Sequence, residues 1–139
     1  MKYFLFTVSA IAMFFTLSSC GQAKTPVNCS KYKTGTFFYH FTMNEAEFHF
    51  TLKRNDSLQS ETNEKSGKAV RFKVNWIDSC TYELRYLDGL EELPKETLDL
   101  KKKIVLQTSI LGGTEKYYLF KTTSNSNSQV LSDTIWIKK

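Results

Sequence analysis

An all-β, antiparallel domain is predicted by three observations. Apolar and polar residues alternate with period two along most of the chain, short polar turns separate the alternating runs, and only one segment has room for a helix. The first run sets Phe37, Tyr39, Phe41 and Met43 against Thr36, Phe38, His40 and Thr42. After a turn at Asn44-Glu45, Phe48, Phe50 and Leu52 alternate with Glu47, His49, Thr51 and Lys53. A hairpin centred on that turn opposes Met43 to Ala46, Phe41 to Phe48, Tyr39 to Phe50 and Phe37 to Leu52. Every inward pair is then apolar, which selects the register, because a one-residue slip would turn the whole set to solvent.

Arg54-Asn55-Asp56-Ser57 is a turn, and a weaker strand covers 58–63. Lys65-Ser66-Gly67 turns the chain again, and Val70, Phe72, Val74 and Trp76 alternate with Arg71, Lys73 and Asn75. Ile77-Asp78-Ser79 leads into Cys80, Tyr82, Leu84 and Tyr86. The segment 88–100 is expected to be an irregular connection with at most one helical turn, split by Pro94. Three strands follow at 102–110, 115–122 and 129–138, with Gly112-Gly113 as a hairpin turn and 124–128 as a loop. About eight strands in an antiparallel meander must hide one apolar face and two edges. A small barrel, lipocalin-like or partly open, does both; a two-layer β-sandwich is the alternative.

The N-terminus has a different character. Lys2 supplies a positive charge, residues 3–17 are almost wholly apolar, and small residues follow, the pattern of a secretory signal. The run is shorter than the roughly 20 apolar residues that span a bilayer. Leu17-Ser18-Ser19-Cys20 resembles the lipobox of bacterial lipoproteins. That resemblance implies removal of residues 1–19, lipidation of Cys20 and attachment to a membrane through a tether over 20–28, with a single β domain over 29–139. Gly21 is not the Asp that typically retains a lipoprotein at the inner membrane, so an outer-membrane protein facing the periplasm is expected. From Cys20 to Cys29 the chain reaches about 30 Å at most, which keeps the domain close to the bilayer.

Removal of the signal leaves about 120 residues, enough for one modest core. The net charge of the whole chain is +5, and its basic residues are scattered. The only basic run, Lys101-Lys102-Lys103, reads as a solvated strand edge. Nucleic acid is therefore not an expected partner. With Cys20 acylated, Cys29 and Cys80 remain of the three cysteines. In an oxidising compartment a disulfide between them is favoured over two free thiols; a metal pair is disfavoured, since neither lies in a Cys-x-x-Cys or beside a histidine.

Four segments, Asn28-Cys29, Lys33-Thr34-Gly35-Thr36-Phe37, Arg54-Asn55-Asp56-Ser57 and Trp76-Ile77-Asp78-Ser79-Cys80, together resemble a group of short lipoprotein-like proteins of Bacteroidota. The resemblance extends from Cys29 to about Leu87 and resumes in the final Asp133-Thr134-Ile135-Trp136-Ile137-Lys138. Both cysteines fall within the shared segments, which fits a disulfide. Some of that group carry the name DNA topoisomerase IV, but such an enzyme is a large cytoplasmic machine and this is a small chain with an export signal. The resemblance implies no particular activity.

Signals for catalysis are sparse. The chain holds no Gly-x-Ser-x-Gly, P-loop, His-Glu-x-x-His or Gly-x-Gly-x-x-Gly, and no carboxylate pair stands out for acid–base work. The first hairpin register sets His40 opposite His49, beside Glu47, on the outer face. Two imidazoles and a carboxylate are weak candidates for a zinc-like ion, and solvated side chains are the favoured reading. No cofactor is expected. With Asn55-Asp56 as a tight turn, Leu52 opposes Gln59 and Phe50 opposes Glu61, aiming two polar side chains inward; a longer loop turns Leu58 inward and leaves both in solvent. Arg54, Gln59 and Glu61 are thus candidates for a polar spot in an apolar pocket, with Trp76 as a core residue or ligand platform. The expected function is a non-enzymatic binding domain for a small apolar ligand or an envelope protein partner. A hydrolytic envelope enzyme is the alternative, and a DNA-acting protein the least favoured.

Overall fold

The computed structural model describes residues 27–90 and 92–137. The segment read from the sequence as a signal peptide, the expected lipidation site Cys20 and most of the expected tether lie outside the described residues. Eight antiparallel strands close into a barrel in chain order: β1 Gly35–Met43, β2 Ala46–Arg54, β3 Leu58–Asn63, β4 Ala69–Trp76, β5 Thr81–Asp88, β6 Val105–Gly113, β7 Tyr117–Ser124 and β8 Asn127–Trp136. The single sheet closes on itself, so the sandwich alternative is excluded. β1 meets β8 at one paired position, Phe38↔Trp136. Further along the same seam the Tyr39 hydroxyl donates to Asp133 Oδ2 at 3.2 Å.

The β1–β2 register is the predicted one, with Phe37↔Leu52, Tyr39↔Phe50, Phe41↔Phe48 and Met43↔Ala46. Asn44 and Glu45 turn this hairpin at φ 50° and 64°, the left-handed pair that matches strand twist in a two-residue loop. The β2–β3 turn is two residues longer than the tight turn considered from the sequence. Asn55 Oδ1 accepts from the amides of Ser57 and Leu58, and pairing starts at Arg54↔Gln59, with Leu52↔Glu61. A shift of two preserves which face each residue occupies, so the longer turn does not move Gln59 and Glu61 to solvent.

Three further expectations are corrected. A full helix, α1 Lys95–Lys103, begins within segment 88–100 and runs past its end, and Pro94 precedes rather than splits it. Pro94 supplies a fixed φ at the entry, Glu96 lies in the first turn, and Lys101, Lys102 and Lys103 in the last turn meet the negative end of the helix dipole. The lysine run is therefore a helix terminus and not a strand edge. Gly112-Gly113 is not a turn: both pair with β7, Gly112↔Leu119 and Gly113↔Tyr118, across an irregularity after Ile110. The reversal comes later, where the Thr114 amide donates to Tyr117 O. A Cβ on Gly113 would stand 2.6 Å from the Tyr32 hydroxyl, so glycine is required for that ring to approach. Finally, 124–128 is a tight turn at Asn125-Ser126 that lets β8 begin at Asn127.

The two barrel ends differ. One carries the β2–β3, β4–β5 and β6–β7 turns and the N-terminal segment, whose single 3-10 turn Ser30–Tyr32 lays Tyr32 across the opening. A Cys29–Cys80 disulfide fastens this segment to the β4–β5 turn. The core gathers at this closed end, where Tyr32, Phe37, Tyr82 and Tyr118 are all at most 1% exposed. The opposite end carries the other turns and α1.

Candidate binding cavity

An eight-stranded barrel encloses just enough volume to be filled by side chains or to hold one small ligand. Here the two halves take different options. The closed half is filled. In the other half, Phe50, Val70, Phe72, Leu84, Ile104 and Leu106 line a cavity of about 500 Å³ that opens under α1. Leu90 borders it from the connection that follows β5, held there by its amide donating to the Tyr86 hydroxyl at 2.9 Å. Gly89, at φ 105°, lets this connection pass against β4, since a Cβ would sit 2.2 Å from Ala69 O. Polar groups ring the mouth: Asn63, Lys68, Lys101, Ser124, Ser126 and Asn127. Lys68 is engaged by Glu92 at 2.5 Å.

Below this antechamber lies a smaller chamber of about 160 Å³. Leu52, Leu84, Leu106, Phe120 and Ile135 contribute apolar wall, while Gln59, Glu61, Thr108 and Thr122 contribute polar groups. Glu61, Leu84 and Leu106 border both chambers. The Thr108 and Thr122 hydroxyls bond each other at 2.7 Å. Tyr39 also reaches this chamber, and burial, reinforced by the Asp133 carboxylate, pushes its hydroxyl pKa up to about 12.

A line of hydrogen bonds runs from the closed end to the cavity. Arg54, 4% exposed, donates Nε to Gln59 Oε1 at 2.6 Å, and Gln59 Nε2 donates to Glu61 Oε1 at 2.6 Å. The other guanidinium nitrogens go to Tyr32 O at 3.2 Å and the Tyr118 hydroxyl at 2.8 Å, with the Arg54 Cζ 4.4 Å from the Tyr82 ring centre. Burial works against the Arg54 charge, but Tyr82, Tyr118 and Glu61 outweigh it and the guanidinium is held charged. Glu61 is affected in the opposite sense. Desolvation lifts its carboxyl above the ordinary range, and the Gln59 hydrogen bond and Arg54 charge offset only part of that lift.

The residues singled out from the sequence thus separate. Gln59 and Glu61 meet in the interior, and Glu61 faces both chambers. Arg54 does not line the cavity; it lies behind Gln59 as part of the closed end. Trp76 is also at that end, half-buried against Tyr82 at 4.7 Å between ring centres, with Lys33 Nζ 4.5 Å from its own ring centre. Its indole N–H is buried without a hydrogen-bond partner among the described residues, which suits a packing role better than a ligand platform. His40 and His49 are paired and stacked at 5.8 Å, and His49 Nε2 lies 3.4 Å from Glu47 Oε2, all on the exposed face. No group of three or more His, Cys, Asp or Glu among the described residues is placed to hold a metal ion.

The sequence reading missed the part of the lining that comes from α1 and its flanks: Leu90, Lys101 and Ile104. The signals were present in Pro94, Glu96 and the lysine run, which together mark a helix start and end. Compared with family models, curated proteins and solved structures, the chain matches none.

Proposed function

We propose that this protein is a lipid-anchored envelope protein of the outer membrane whose barrel binds a small, mostly apolar molecule without transforming it. The observation that carries this reading is the division of the barrel into a packed closed half and an apolar-walled cavity of about 500 Å³ whose polar groups gather at the mouth and at Glu61, a make-up that suits a small-molecule site. Anchorage is supported by Leu17-Ser18-Ser19-Cys20 behind an apolar export signal. Val27, where the described chain begins, lies at the closed end, within 3.5 Å of Cys80 through its carbonyl oxygen. A lipidated tether would thus join the barrel at its closed end, with the mouth at the opposite end. Nucleic acid has no place in this reading, because the basic residues are spread along the whole chain.

Mass spectrometry of protein extracted from its own envelope tests the binding. A co-purifying apolar or amphipathic molecule is expected, released by organic solvent. An empty cavity that also fails to take up the neutral fluorophore N-phenyl-1-naphthylamine would refute it. For the anchor, Cys20→Ser is expected to leave unprocessed precursor or soluble protein; unchanged membrane fractionation with the same mature mass would refute lipidation.

A further inference from the structure

We propose that the ligand enters polar end first and that this end is a hydrogen-bond donor, a primary ammonium, received by Glu61 at the junction of the two chambers. The inference rests on the binding reading above and names its ligand class.

The distribution of polarity carries it. The antechamber has an apolar wall, and the ionisable carboxyl lies beyond that wall, where Glu61 borders both chambers. An apolar tail pushed inward would strip water from this carboxyl and offer nothing in return. The neighbouring polar groups are already spent. Thr108 and Thr122 bond each other, and the Gln59 side chain accepts from Arg54 and donates to Glu61. Gln59 is the one side chain that hydrogen-bonds the Glu61 carboxyl among the described residues, and it does so at Oε1. The second carboxyl oxygen is thus left for a donor brought by the ligand. A carboxylate head would set two acids against each other, whereas an ammonium meets an acceptor of opposite charge. The deep chamber of about 160 Å³ suits a head of a few atoms, and the antechamber suits its aliphatic or aromatic body. Of the two lysines at the mouth, Lys68 is already engaged by Glu92, and Lys101 stands at the end of α1 on the rim, away from Glu61 at the chamber junction.

The ammonium donates to the second carboxyl oxygen of Glu61 and forms a charge-paired hydrogen bond inside the apolar wall.

Displacement of N-phenyl-1-naphthylamine from the whole protein at neutral pH by decylamine, decanol and decanoate tests this. Decylamine is expected to displace the probe at about tenfold lower concentration than decanoate, or better, the size of one charge-assisted hydrogen bond. Glu61→Gln keeps the shape and the Gln59 contact but removes the charge, so it is expected to lose that preference. Decanoate or decanol matching decylamine would overturn the proposal, as would a preference that survives in Glu61→Gln. Should that variant misfold, the wild-type comparison of the three heads still decides. A wild-type protein that does not bind the probe refutes instead the cavity reading on which the proposal stands.

Discussion

Removing the Cys29–Cys80 bond, as Cys29→Ala/Cys80→Ala, tests what holds the closed end. The bond joins residues 51 apart at a Cα–Cα distance of 5.2 Å. Restricting an unfolded loop of that length lowers its entropy enough to stabilise the fold by about 4 kcal/mol at room temperature. For a domain of this size the loss corresponds to a fall in melting temperature of about 15 °C. The folded state also depends on the bond, because it fixes the segment carrying Tyr32, whose carbonyl oxygen accepts from the buried Arg54. Urea unfolding of the variant, followed by circular dichroism, is the assay. A lower midpoint and a steeper denaturant dependence are expected, since an uncrosslinked unfolded chain exposes more surface. A variant within about 1 kcal/mol of the wild type would refute the loop-entropy reasoning.

Arg54→Met keeps much of the side-chain length but leaves Gln59 Oε1, Tyr32 O and the Tyr118 hydroxyl without their buried donor; a loss of about 3–5 kcal/mol in urea unfolding is expected, and a neutral effect would contradict the role given to the guanidinium. Glu45 occupies a left-handed conformation at φ 64°, so Glu45→Gly is expected to stabilise the hairpin by about 1 kcal/mol, checked by thermal melting, with destabilisation as the contrary result. The raised Glu61 carboxyl means that the folded state binds its proton more tightly than the unfolded one. Its contribution is therefore most favourable below the ordinary value of 4.5 and is lost as pH rises from there through the raised folded value. Glu61→Gln should flatten stability across that window; an unchanged pH profile of urea midpoints would refute the assignment.

The strand pattern was legible because period-two alternation is a local property of the chain. In β1–β2 the aromatic and aliphatic residues can face one another in only one register, and the turn residues Asn44-Glu45 agree with it. The inward aim of Gln59 and Glu61 could be written as one of two options but not decided, since it depends on the parity of a turn. The Asn55 side chain decides that parity by bonding two backbone amides. Pairing of Cys29 with Cys80 is expected once Cys20 is read as a lipidation site, and the structure joins the two in a disulfide.

What only tertiary structure decided is which end of the barrel is filled. Tyr32, Phe37, Tyr82 and Tyr118 come from four separate segments, and only closure of the sheet converges them over Arg54, leaving the other half to a cavity. The same holds for the mouth. Lys101 and Ile104 become lining residues because α1 packs on β5, the strand before it, and there meets walls contributed by β2, β3 and β4. Alternation records which side chains point inward, whereas the volume they fill depends on the curvature and stagger of the closed sheet, which belong to all eight strands together.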